Sequence, residues 1–174
     1  MESAKCMENN MNTKAVEIIR KHIKVLEGAR FFIAGRTAAM AWLGFVVDNI
    51  NYALHLQSGF RVRTKEKLLI ANLDMFDPTD TVIGDPSFAW EQYDWDIQGN
   101  NCYDEWTQRF GKESSDGIVR AVEVSDFGDL TIEIDNGMII EVFVNSSTQE
   151  CWRFFERGAD HHLVVTGLGP EADR

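Results

Sequence analysis

A chain of 174 residues, 44% hydrophobic, can form one domain with a real core, because about 150 residues hide roughly 70% of their extended surface. Its net charge of −11 is uneven: residues 1–66 hold ten Lys or Arg against six Asp or Glu, and residues 67–174 hold seven against twenty-two. That acidity argues against nucleic acid and anionic lipid as partners, since both are bound by cationic neutralisation. The longest apolar stretch, Ala38 to Val47, is far below the about 20 residues of a bilayer span.

Met1 to Asn12 is polar and aperiodic, which predicts a flexible tail, and no basic and apolar targeting segment is read there. Cys6, Cys102 and Cys151 stand apart with no CxxC spacing, predicting free thiols in a reducing, cytoplasmic compartment. Lys14 to Glu27 reads as an amphipathic helix: Val16, Ile19, Ile23 and Leu26 share one half of the wheel with Ile18, His22 and Val25. A single domain is expected over residues 13–167, with flexible residues 168–174 after it.

Two segments share a pattern, Asn51 to Arg63 and Asp129 to Glu141. Each alternates apolar and polar residues, reaches a polar-Gly turn, and resumes alternation, as β-hairpins do. In the second, a three-residue loop at Asp135-Asn136-Gly137 pairs Ile134 with Met138, Ile132 with Ile140 and Leu130 with Val142, leaving one face wholly apolar. In the first, the same register turns at Gln57-Ser58-Gly59 and sets His55 across from Arg61. Opening strands are expected at Ala38–Val47 and Ile118–Val124, and further strands at Lys67–Ala71, Cys151–Phe155 and His162–Thr166. The expected fold is therefore α+β and mainly antiparallel β. It comprises two related hairpin units, an internal duplication over about 30–73 and 115–166, and an N-terminal helix. Between the units, the insertion 74–111 begins with turn signals and ends in a short helix near Tyr103 to Phe110. Insertions this long are often functional.

Three groups of residues bear chemistry. His55, Arg61 and Arg63, joined by outward-facing Arg153, form a candidate anion-binding face; alternatively, these charges pair with Glu133, Glu141 and Asp135 within the fold. Asp94 and Asp96 fall on one face of an extended segment and are candidate ligands for a hard cation. They lack the remaining oxygens such an ion wants, and anchoring by Trp95 between solvated carboxylates is the other reading. In Asp160-His161-His162 the adjacent histidines point to opposite faces of a strand, which disfavours a shared metal. GxSxG, GxGxxG, Walker-type and HExxH motifs are lacking, so no catalytic residue and no cofactor is predicted.

The ordered set His55-Leu-Gln-Ser-Gly-Phe-Arg61, Asn72-Leu-Asp74, Asp94-Trp95-Asp96, Phe127-Gly-Asp-Leu130, Asn136-Gly137 and Trp152-Arg-Phe-Phe155 resembles an uncharacterised family of small bacterial cytoplasmic proteins. The resemblance spans roughly residues 30–166 and implies one shared architecture without an activity. Two functions remain open. One is a non-enzymatic interaction module of the immunity or accessory kind, with a protein partner. The other is a binder of small anionic ligands, or a metal-assisted hydrolase, with its pocket between the sheets and the insertion. A homodimer is compatible with either.

Overall fold

The computed structural model describes residues 13–112 and 116–171. The expected N-terminal tail, including Cys6, lies outside the described residues. The amphipathic segment forms α1 (Thr13–Ile23), followed by one 3₁₀ turn, Lys24–Leu26. Val16, Ile19, Ile23 and Leu26 are fully buried. Ile18, Val25 and His22 on the same half of the wheel stay exposed. The apolar face of α1 is thus wider than the surface that covers it.

The strands are β1 (Arg30–Thr37), β2 (Met40–Val47), β3 (Ile50–Leu56), β4 (Phe60–Arg63), β5 (Leu68–Ala71), β6 (Gly117–Val124), β7 (Leu130–Ile134), β8 (Ile139–Val142), β9 (Trp152–Glu156), β10 (His162–Thr166) and β11 (Gly169–Glu171). They form one antiparallel sheet in the order β11-β10-β9-β3-β2-β1-β6-β7-β8-β4-β5. Its two halves meet at a narrow seam, where only Arg30↔Ile118 and Phe31↔Gly117 of β1 and β6 pair. Inward residues of both halves, among them Leu43, Leu54, Trp152, Ile132 and Ile140, belong to one continuous core. The mainly antiparallel fold with an N-terminal helix and a short central helix is as the alternation predicts.

The β7–β8 hairpin has the predicted register, with Leu130↔Val142 and Ile132↔Ile140. Ile134 N donates to Met138 O, and Gly137 takes a φ of +90° at the turn, the left-handed conformation that glycine adopts without steric cost.

The first segment differs. β3 and β4 do not pair: β3 lies between β2 and β9, and β4 lies between β8 and β5. Gln57 N and Ser58 N both donate to Cys151 O, and Phe143 N donates to Gly59 O. The linker is therefore tied to both halves of the sheet and crosses between them. Gly59 is not among the glycines of positive φ, so the bulged turn that would close a hairpin does not form. The inward alternation survives, since Leu54, Leu56, Phe60 and Val62 are all buried. Only the pairing partner changes.

Two further boundaries move. Arg30–Thr37, ahead of the expected opening strand, is itself β1, and it contributes Phe31 and Ala34 to the core. At the other end, residues 169–171 of the expected flexible tail form β11, which pairs with β10 from Thr166↔Gly169 to Val164↔Glu171. Thr166 secures that tight turn: its Oγ1 accepts from Leu168 N and donates to Gly169 O.

The insertion carries α2 (Asp80–Ile83), capped by Thr79 Oγ1, and α3 (Cys102–Lys112). Arg36 of β1 anchors it, alongside Gly35 O, which accepts from Tyr103 Oη, and Phe31, which packs on Phe110. Arg36, its side chain 2% exposed, donates from Nε and Nη2 to both oxygens of Asp104 at 2.7 and 2.8 Å. Its remaining N–H groups reach Asp96 Oδ1, Ala38 O, Trp95 O and Asp96 O. Asp104 also accepts from Gly99 N and Asn101 Nδ2. A buried ion pair is tolerable only when its lone pairs and protons are satisfied in this way.

Candidate binding surfaces

Because β3 and β4 part company, the predicted anion face is divided. His55 pairs in register with Trp42 on one side and Arg153 on the other, while Arg61 and Arg63 lie on the other half of the sheet. The expectation that His55 faces Arg61 is thereby corrected.

Arg61 and Arg63 are already engaged. Arg61 Nε and Arg63 Nε donate to Glu141 Oε2 at 2.5 and 2.7 Å, and Arg63 Nη2 donates to Oε1 at 3.0 Å. Hydrogen bonds from Arg63, then from Arg61, hold the Glu141 carboxyl down to about 2 against partial burial. Glu141 takes three of their N–H donors, and the charge of Glu133 acts on Arg63 as well. Arg153 is engaged in the same way, donating from Nε and Nη2 to Glu150, which also accepts from Gln57 Nε2.

His55 stands edge-on to Phe155, with ring centroids 4.8 Å apart, and His162 stacks on the opposite neighbourhood of the same ring at 4.1 Å. Burial, and then the Arg153 charge, push the His55 imidazole below its ordinary value. Charge on His55 is disfavoured, which weakens it further as an anion ligand.

Asp94 and Asp96 do not converge as a cation cage. Asp96 bridges to Arg36, and Asp94 Oδ1 accepts from Asp96 N, closing a local turn. Trp95 packs edge-on against Phe76 and beneath the Arg36 guanidinium, a half-buried position short of the core. Among the described residues, no group of three or more His, Cys, Asp or Glu is arranged to hold a metal ion.

The insertion presents a different surface. Residues 68–108 contain nine carboxylates (Asp74, Asp77, Asp80, Asp85, Glu91, Asp94, Asp96, Asp104 and Glu105) and no Lys, Arg or His. Among the described residues, only Asp96 and Asp104, with Arg36, and Glu105, with Arg109, form ion pairs among them. Set among the others are Trp90, 64% exposed, with Ile97, Ile83 and Phe76. Trp90 is braced by Phe88 and Tyr93, at centroid distances of 5.2 and 6.1 Å, so the ring is held outward on an aromatic base. The residues responsible were visible as an acidic, aromatic composition; that Arg36 would present them was not, because it lies 68 positions from Asp104.

No family model matches the chain, and neither a curated protein nor a solved structure matches it. Among the described residues, no helix is long and apolar enough to cross a membrane.

Proposed function

We propose that the protein is a non-enzymatic interaction module whose acidic, aromatic insertion receives a basic protein partner. The observation that carries this reading is an exposed Trp90 in a segment of nine carboxylates, six of which make no ion pair among the described residues. An arginine side chain would meet both halves of such a surface: its planar guanidinium lies over the indole, and its N–H groups reach the carboxylates. Trp and Arg pairs of this kind dominate interface energies, and the surrounding charge speeds encounter. The unpaired thiols Cys102 and Cys151 are in keeping with a reducing, cytoplasmic setting.

Titration with an arginine-rich peptide, followed by calorimetry at low salt, tests the reading. Trp90→Ala should weaken binding by about ten-fold or more, corresponding to a loss of about 1.4 kcal/mol. Glu123→Gln with Glu133→Gln, which removes two carboxylates outside the insertion, should change it less than about two-fold. Equal losses from both variants would mean that general acidity, not this face, attracts the peptide.

A further inference from the structure

The exposed part of the apolar face of α1 borders a groove of about 620 Å³ between that helix and β3, β9, β10 and β11. The volume is within the range, roughly 300–1,000 Å³, of sites that enclose small molecules. Its walls include Ile18, Val25, Tyr52, Phe154 and Leu163. The Tyr52 and Phe154 rings are stacked, centroids 5.3 Å apart and planes inclined by 14°, so buried Phe154 backs the half-buried Tyr52 ring at the groove wall.

The polar lining of this groove consists of Glu156 and Glu171, Tyr52 and the imidazoles of His22, His161 and His162. Among the described residues neither Lys nor Arg lines it, whereas Glu156 and Glu171 do, and Glu156 is the register partner of Tyr52. His22 Nδ1 lies 2.8 Å from Ile18 O. A carbonyl only accepts, so Nδ1 carries a proton and is spent on the helix backbone. The Tyr52 hydroxyl is held above its ordinary pKa by burial first, and then by the charges of Glu156 and Asp48. A carboxylate or phosphate ligand would meet repulsion here. An ammonium group would meet partners.

We propose that this groove binds a hydrophobic organic amine, with its apolar body between α1 and the Tyr52–Phe154 stack and its ammonium at Glu156. The site is independent of the acidic insertion, and its chemistry needs a ring or alkyl body as well as a positive charge. Apolar burial supplies the contact area, and cation–π attraction and the carboxylate select the sign.

The test uses the full chain and three probes that share an indole body: tryptamine, indole-3-propionate and neutral 3-methylindole. Saturable tryptamine binding, at least about ten-fold tighter than that of indole-3-propionate, is expected. Ile18→Trp, at a position already exposed, should fill the groove and abolish binding of tryptamine and 3-methylindole alike. Glu156→Gln, also on the surface, should weaken tryptamine several-fold and leave 3-methylindole unchanged. The proposal is overturned if the acid binds as well as the amine, or if no tryptamine binding saturates by about 5 mM. It is equally overturned if sedimentation shows a dimer that Ile18→Trp converts to monomer, because a second copy would then occupy the groove.

Discussion

Glu141 illustrates how one carboxylate decides what two arginines can do. With its carboxyl held at about 2 by Arg63 and Arg61, it remains charged in the folded protein long after an ordinary glutamate would have protonated. A folded-state pKa below the unfolded one stabilises the fold above the unfolded value. That contribution is lost as the pH falls from about 4.5 towards 2. Glu141→Gln should therefore lower stability at pH 7 by about 1–2 kcal/mol, a figure discounted because Arg61 is nearly half exposed. In urea titrations the difference between wild type and variant should shrink through that acid window. A constant difference from pH 7 to pH 2.5 would mean that the loss is one of packing and not of charge. At this scale the sequence reading anticipated both outcomes for Arg61 and Arg63, an anion face or internal pairing. The alternation showed which side chains point outward, but not that Glu141 of a distant strand lies between them.

Between elements, legibility follows the distance over which a contact is specified. The β7–β8 register was readable because Asn136 and Gly137 impose it locally: Asn136 Oδ1 accepts from Met138 N, and Gly137 supplies the positive φ. The β3–β4 segment has the same alternation and a glycine, yet beyond their local neighbours β2 and β5 its strands find partners 76 to 104 residues away. Nothing local distinguishes a turn at Ser58-Gly59 from a crossing. The same limit applied to the insertion, whose helix was evident from Tyr103 to Phe110 while its tether to β1 was not. Breaking that tether has a defined consequence. Asp104→Asn leaves a buried guanidinium with only the half-exposed Asp96 as counter-charge, and Arg36→Ala leaves a buried carboxylate; the second should cost about 3–5 kcal/mol and the first less. Trp95, beneath Arg36, should report the release through a red-shifted emission in Arg36→Ala. If the emission of that variant is unchanged and its stability falls by less than about 1 kcal/mol, the insertion is held by its apolar contacts instead.

Over the whole molecule, the strand order has a reciprocal form. The meander β1-β2-β3 is extended by β9-β10-β11, which follow the second meander in the chain, and β6-β7-β8 is extended by β4-β5, which follow the first. Each half of the chain thus completes the edge of the other, and the long-range pairs hold the two halves as one cooperative unit. In that order β3 and β4 correspond to β8 and β9, not to β7 and β8 as the sequence likeness of their segments implies. Charge is distributed on the same large scale. Glu141 and Glu150 are consumed by arginines within the sheet, whereas among the described residues six of the nine carboxylates of residues 68–108 make no ion pair.

The five tryptophans, Trp42, Trp90, Trp95, Trp106 and Trp152, sample these regions separately, so their indole N–H resonances can locate a cationic partner directly. On titration with an arginine-rich peptide, the Trp90 signal should move most and Trp95 next. Trp42, outward on β2, and Trp152, buried with its Nε1 donating to Gly128 O, should stay fixed. Movement of Trp42 ahead of Trp90, or no movement of Trp90 at saturating peptide, would contradict the assignment of the insertion as the binding face.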